Sequence, residues 1–401
     1  MLASLRVSSG RLLMLVATAC AVAGTLPVFL VGALAVQIRA DLDFGPSAQG
    51  LLVGCFFGGV AIGGIPLGGL ADRLGWWRSL RFVARVVAVV MLMIAFVVHA
   101  WLPFAIALLV GGFAHSMGMP AGNLAILRGL PVSRRGMAFG IRQAAIPLSV
   151  LLGGLSVPLV AVRVGWRPVF MLAVIVPVTV LLLLRVLRDS PSGGPTTTVG
   201  RTRPPMSMPL AFILVLSAGG AIVVNTSSAF LVTTAVEGGF SESAGGLLLM
   251  LGSAISLVMR IASGVAVDRF GHGYHVIAVL LLAGAIGFVL IGTGGTIGLV
   301  VGTGIGFGAG TGWAGLLHYV ATAEHPDHAG GVSGTLLTFG NIGGFLGPTM
   351  FGVIAERWSF GVAWTVLAGV AVLAAIAVML AGRGFERRRS RAGGIPPVTA
   401  G

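Results

Sequence analysis

The stretch Asp72-Arg73-Leu74-Gly75 returns almost unchanged as Asp268-Arg269-Phe270-Gly271, 196 residues farther along the chain. At the same offset, Ser47-Ala48-Gln49-Gly50-Leu51-Leu52 aligns with Ser243-Ala244-Gly245-Gly246-Leu247-Leu248. The offset is close to half of the 401 residues. An internal repeat of this length in so apolar a chain predicts two similar bundles of membrane helices.

Composition also places the chain in a membrane. Hydrophobic residues make up 56% of it, charged residues only 9%, and the mean hydropathy is +1.03, whereas a soluble protein needs far more charge to cover its surface. We therefore predict an all-α membrane protein with twelve transmembrane helices in two pseudo-symmetric six-helix bundles. Each predicted span approaches the ~20 residues that a membrane helix needs: 12–37, 47–70, 79–99, 103–127, 137–160, 168–187, 209–235, 244–266, 274–293, 296–321, 333–355 and 361–381.

One polar segment divides the chain. Residues 188–208 are rich in Pro, Gly, Ser and Thr, a composition that cannot bury a core and is typical of a flexible linker. The predicted organisation is an N-terminal bundle over 1–187, this cytoplasmic linker, a C-terminal bundle over 209–383 and a disordered cytoplasmic tail over 384–401.

The basic residues indicate how the chain lies in the membrane. All 25 are arginines, and in the predicted topology they lie at or near one set of helix ends, with four exceptions: Arg39, Arg163, Arg167 and Arg357. The positive-inside rule makes those ends cytoplasmic. We expect a multi-pass protein of the cytoplasmic (inner) membrane with both termini cytoplasmic. The net charge of +14 then meets the headgroups of the lipid bilayer, and no nucleic-acid partner is expected.

A family resemblance appears at Gly68-Gly69-Leu70-Ala71-Asp72-Arg73-Leu74-Gly75, followed by Leu80. This stretch resembles the G-x-L-A-D-R-x-G-R-K-x-x-L loop that the major facilitator superfamily carries between its second and third helices. The pattern departs at Trp76 and Trp77, where the family has two basic residues; Arg78 supplies part of that charge. The resemblance implies a secondary transporter whose two halves rock about a central cavity lined by helices 1, 4, 7 and 10.

The resemblance implies that the two repeated loops act in gating. Asp72, at a helix end, could meet the positive N-terminus of a neighbouring helix or an arginine, and so latch the bundles together on the cytoplasmic side. The alternative is that the charges only satisfy topology and headgroups. The predicted latch residues are Gly68, Asp72, Arg73, Gly75, Arg260, Asp268 and Arg269.

Two charged or titratable side chains within the predicted spans are candidates for substrate contact. None of the eleven carboxylates lies near the middle of a span, so His115 is the candidate proton-responsive group or substrate donor, with a buried neutral histidine as the alternative. Arg142, followed by Gln143 in the fifth span, is a costly charge within a membrane helix. Its planar donors suit a carboxylate or another oxyanion; the alternative is an arginine that reaches the headgroups.

Other polar residues of the predicted cavity helices could orient a ligand. They are Thr25 in the first span, Asn123 in the fourth, Asn225 in the seventh, and Trp313 and His318 in the tenth. Small polar groups also join membrane helices to one another, which is the alternative for each. Cys20 and Cys55 fall within spans without a metal or redox spacing, and we expect free thiols.

The leading functional hypothesis is rocker-switch alternating-access transport of a small polar solute, with an organic anion as the candidate class. The partners expected are the small-molecule substrate, coupling protons and the bilayer, with the chain acting as a monomer and with no cofactor or metal. A proton-coupled drug exporter is the second hypothesis, although Ile146-Pro147-Leu148-Ser149 and Gly153-Gly154 match the G-P-x-x-G-G exporter motif only in part. A transporter-like membrane sensor is the third. The short connections leave no room for a soluble catalytic domain, so no enzyme is expected.

Overall fold

The computed structural model describes residues 2–187, 206–325 and 328–391. We number the transmembrane helices α1 to α12 in chain order. They are α1 (Leu2–Ala33, followed by the short helix Ala35–Leu42), α2 and α3 (the parts of Pro46–Phe96 before and after residue 75), α4 (Trp101–Gly129), α5 (Val132–Gln143, Ala145–Ser156, the π-helical Val157–Ala161 and Val162–Val164), α6 (Trp166–Ala173 and Ile175–Val186), α7 (Met208–Glu237), α8 (Glu242–Phe270), α9 (Gly273–Gly292), α10 (Thr296–Gly312 and Ala314–Ala323), α11 (Ala329–Arg357) and α12 (Phe360–Arg391).

The described part of the chain contains eleven helices that are long and apolar enough to cross a membrane. One of them, Pro46–Phe96, has 51 residues, which is about 77 Å of helix against a hydrocarbon core of about 30 Å. Gly75 interrupts it with φ 77° and ψ 164°, so the segment is two crossings joined by a sharp turn. The helices therefore make twelve crossings, which confirms the predicted all-α membrane fold.

The ends of the two bundles differ from the prediction in one place. Instead of a disordered tail from residue 384, α12 continues to Arg391. Phe385 is buried there, with its ring 6.1 Å from that of Tyr274 and 5.5 Å from that of His325. This packing orders the additional turns. Of the predicted linker, residues 188–205 lie outside the described residues, as do residues 392–401 of the tail.

The chain divides into two compact units. The first comprises Met1–Thr197 and Ser228–Met250, and the second comprises Thr198–Ser227 and Leu251–Gly401. This division places the end of α7 and the start of α8 in the first unit. There, Nε2 of Gln49 donates to the carbonyl of Ala229 at 2.8 Å and to the hydroxyl of Thr233 at 3.2 Å. The predicted bundle boundaries, which follow the sequence repeat, stay a prediction.

Glycines allow the helices within each unit to pack closely. In the first unit, a Cβ on Gly112 of α4 would overlap the backbone of Phe56 in α2. In the second, Gly284 and Gly287 of α9 lie against Gly310 and Gly306 of α10 in the same way. Backbones can approach this closely only where side chains are absent, so these glycines act in helix packing.

Candidate functional site

The first unit brings together polar side chains from three helices. We call this group the polar cluster. Its members are Cys20 of α1, His115 and Asn123 of α4, and Arg142 of α5. Arg142 lies in the last turn of the segment Val132–Gln143, directly before Ala144 and the second helical segment of α5. The cluster contains two of the predicted contact residues together with the predicted proton-responsive histidine.

Arg142 is buried, with 4% of the residue exposed. Its Nη1 donates to Oδ1 of Asn123 at 2.6 Å. Its Nη2 lies 3.1 Å from the carbonyl oxygens of both Gly118 and Met119, and 3.3 Å from the Met119 sulfur. Its Nε is buried without a hydrogen-bond partner, and a Cβ on Gly122 would come within 2.7 Å of that nitrogen. Among the described residues, the hydrogen-bond partners of this buried cation are thus all neutral.

His115 lies beside the guanidinium and is also buried, with 6% exposed. Its ring stands 5.8 Å from that of Phe56 and fills the space that a Cβ on Gly24 of α1 would need. Its Nδ1 has no hydrogen-bond partner. Gly118 connects the two groups, because its carbonyl accepts from Arg142 and a Cβ on it would lie 3.9 Å from Nδ1 of His115.

The first unit also holds the fourth member of the cluster, Cys20, and two further predicted contact residues, Thr25 and Gln143. Cys20 is close enough to Arg142 to interact with it electrostatically, and its thiol points to the carbonyl of Leu80 at 4.0 Å. Both cysteines are free, as predicted. Thr25 shares a hydrogen bond of 2.8 Å with the hydroxyl of Ser149, and so joins α1 to α5. Gln143, next to Arg142, is half-buried.

The remaining predicted contact residues belong to the second unit. Asn225 is buried in α7 and donates to the carbonyl of Ala221 in its own helix, at 2.9 Å. Trp313 lies in the apolar core of the unit, where its ring fills the space beside Gly220 and its N–H donates to Gly310 at 2.7 Å. His318 is half-buried in α10. Their contact with substrate stays a prediction.

The repeated loops share a backbone feature. Gly75 and Gly271 both have a positive φ, of 77° and 66°, so the two loops share a backbone angle that favours glycine. The charged residues of both loops, the predicted latch pairs, are exposed: Asp72, Arg73, Asp268 and Arg269. Gly68 is buried and Arg260 half-buried. The latch itself stays a prediction.

Comparison with known proteins identifies the family. The sequence model of the Major Facilitator Superfamily matches residues 12–348, with a second match over 239–399. The chain belongs to the Major Facilitator Superfamily. This superfamily consists of membrane transporters, so membrane transport is the class of function to which the chain is assigned. Among curated proteins, none matches its sequence significantly.

Solved structures of superfamily transporters share the fold. A bacterial homologue of the human lysosomal transporter Spinster, in an inward-facing and occupied conformation, is similar over 93% of this chain and 97% of its own, with a TM-score of 0.73 and 17% identity. The unoccupied form of that homologue gives 0.69 and 17%, over 97% and 99%. A point mutant of the nucleoside transporter NupG gives 0.72 and 15%, over 91% and 99%.

Sequence reasoning missed two features of the polar cluster. The first is Gly122, whose missing side chain makes room for the guanidinium; the spacing of Gly118 and Gly122, one turn apart, was the available signal. The second is the position of Cys20 beside Arg142, which depends on how α1 is rotated and has no sequence signal. Among the described residues, no group of three or more His, Cys, Asp or Glu side chains could hold a metal ion.

Proposed function

We propose that the chain is a secondary transporter that moves a small organic anion by rocker-switch alternating access, and that the polar cluster holds the anion. The observation that carries this proposal is the burial of Arg142 among neutral partners only. A buried charge without a counterion costs free energy. An anionic substrate would provide the missing countercharge, and transport would then be linked to its binding.

The chemistry of the guanidinium favours a carboxylate. Its planar donors can form two parallel hydrogen bonds to one carboxylate, which are stronger than bonds to neutral oxygens. The unpartnered Nε of Arg142 is one available donor. The Nη1 and Nη2 donors already form hydrogen bonds with Asn123, Gly118 and Met119. A carboxylate would therefore compete with these neutral acceptors. Asn123 would then be released to contact another part of the substrate.

His115 would link anion uptake to protons. A proton on His115 would place a second positive charge beside Arg142, and at low effective dielectric such charges repel each other strongly. An anion bound beside both groups offsets that repulsion. Binding of the anion and binding of the proton would therefore favour each other, since such coupling is reciprocal. The result would be symport of an anion with a proton.

The sequence repeat suggests that the two halves of the chain move against each other. Rocking of the two halves would expose the cluster to either side of the membrane, with Asp72 and Asp268 in the cytoplasmic latch beside Arg73, Arg269 and Arg260. With twelve crossings the beginning of α1 and the end of α12 would lie on one side of the membrane, and the arginine distribution supports the cytoplasmic side. Asn225, Trp313 and His318 would contribute from the second half, and Thr25 and Gln143 from the first.

The experiment is ligand-induced thermal stabilisation of the purified protein. The panel pairs each carboxylate with its neutral amide, and adds sugars and apolar drug-like compounds. A ligand that binds the folded state raises its apparent stability. We expect carboxylates, but not their amides, to raise the Tm, and we expect Arg142→Gln to abolish that rise. Stabilisation by drug-like compounds, unaffected by Arg142→Gln, would favour the exporter and overturn the anion proposal.

A further inference from the structure

An apolar groove of the second unit lies between the last two helices, α11 and α12. It is lined by Thr349, Met350 and Val353 of α11 and by Val362 and Val366 of α12, and its volume is about 570 Å³. The valines and the methionine are exposed, so the groove opens on the lipid-facing surface of the second unit. Its walls offer almost no polar group, and therefore only an apolar occupant fits.

The length of the groove corresponds to one leaflet. On α11 its lining runs from Thr349 to Trp358, which is about 14 Å of helix. Half of a hydrocarbon core is about 15 Å. The groove therefore extends from the connection between α11 and α12 to near the middle of the bilayer, which is the depth that a single acyl chain occupies.

A cation and an aromatic ring stand at the mouth of the groove. Arg357, in the last turn of α11, follows Val353 by four residues and Met350 by seven, so it lies on the same helix face as the lining. It is exposed, as are its neighbours Trp358 and Glu356. Tryptophan is typical of the membrane interface. Arg357 is also one of the few arginines outside the cytoplasmic set, so the positive-inside rule does not explain it.

We propose that this groove binds one phospholipid of the leaflet in which the α11–α12 connection lies. An acyl chain fills the groove, and the phosphate accepts hydrogen bonds from the guanidinium of Arg357. Burial of the chain supplies the apolar part of the affinity, and the charge at the mouth selects a phosphate-bearing headgroup. This site is independent of the proposed anion transport, since it shares no residue with the polar cluster.

The test is native mass spectrometry of the full-length protein, delipidated in detergent and then titrated with phosphatidylethanolamine. Arg357→Gln removes the phosphate partner, and Val353→Trp or Val366→Trp fills the groove from either helix. Leu373→Trp, on an exposed position of α12 outside the groove, is the matched control. We expect the first three variants to weaken retention of the first lipid at least tenfold and the control to leave it unchanged.

Other outcomes would overturn the proposal. Equal lipid retention by all variants would show that the groove does not bind the lipid. Weaker retention by the tryptophan variants but not by Arg357→Gln would show that Arg357 does not contact the phosphate. A dimer that the tryptophan variants abolish would show that a second copy, rather than a lipid, covers the groove. Two groove-filling positions on different helices keep the test decisive if one variant fails to fold.

Discussion

Gly122 determines where the guanidinium of Arg142 can lie. A Cβ at this position would come within 2.7 Å of Nε, 2.9 Å of Nη2 and 3.0 Å of Cζ, so a methyl group would push the guanidinium away from Asn123 and its carbonyl partners. The cluster thus depends on an absent side chain as much as on the charged one. In contrast, a Cβ on Gly118 would meet its nearest neighbours, the methyl groups of Val83, at 3.7 Å and 3.8 Å, an ordinary contact.

We therefore expect Gly122→Ala to weaken anion transport and Gly118→Ala to leave it within about twofold. For Gly122→Ala the expected loss in kcat/KM is about tenfold or more, which corresponds to about 1.4 kcal/mol. Uptake into proteoliposomes measures both, and the two variants make the same substitution one turn apart on α4. Equal activity of the two variants would show that Gly122 does not position Arg142.

The histidine makes a separate prediction about pH. If anion and proton uptake are linked at His115, uptake by the wild type should rise as the pH falls and the histidine gains its proton. His115→Gln cannot gain that proton, so its uptake should vary much less with pH. His275→Gln, at the start of α9 and outside the polar cluster, should keep the wild-type profile. A wild-type profile in His115→Gln would exclude the linkage.

At the residue scale, sequence alone could identify Arg142, Asn123 and His115, because charge and polarity inside a span are costly and therefore informative. It could not place them in one cluster, since their proximity depends on how α4 and α5 are rotated about their axes. For the same reason, sequence alone could not show that the ring of Trp313 packs in the apolar core beside Gly220.

At the scale of elements, the turn at Gly75 converts one very long helix into two crossings. At φ 77° and ψ 164° the backbone of Gly75 lies in a region that is essentially restricted to glycine, and another residue held there pays about 1–3 kcal/mol. A Cβ on Gly75 would meet nothing within 4 Å, so strain in the backbone, rather than a clash, would be the cost of a substitution.

We expect Gly75→Ala to lower the thermal stability of the protein by several degrees. The matched control is Gly69→Ala in the last turns of α2, where a Cβ also meets nothing within 4 Å and φ is helical; alanine there should be neutral or slightly stabilising. Thermal unfolding followed in detergent gives both values. A Tm for Gly75→Ala equal to that of Gly69→Ala would contradict the strain argument.

The end of α12 shows that contacts between residues distant in sequence limit the prediction of helix ends. The sequence predicts a disordered tail from residue 384, yet α12 continues to Arg391, and Phe385 packs there against Tyr274 and His325. Both partners are more than 50 residues away in sequence, so no local pattern reports the contact. The spans themselves were predictable, since hydropathy over about 20 residues is a local property.

At the scale of the whole molecule, the sequence repeat predicts the two-fold plan, and the arginines predict its orientation. Orientation can be measured by labelling single introduced cysteines with a membrane-impermeant thiol reagent. Arg78→Cys, just after the α2–α3 turn, should react only from the cytoplasmic side, and Ser359→Cys, between α11 and α12, only from the opposite side; both positions are exposed. Labelling of both from one side would contradict the topology.

The central claim is that Arg142 binds the anion that this transporter moves. Its most direct test is uptake of a labelled carboxylate, chosen from the stabilising ligands, into proteoliposomes that contain the wild type or Arg142→Gln. Loss of one partner of a buried charged pair costs about 2–5 kcal/mol. We therefore expect Arg142→Gln to lose roughly thirty-fold or more in kcat/KM, with a normally folded protein. Carboxylate uptake at the wild-type rate by Arg142→Gln would contradict the claim.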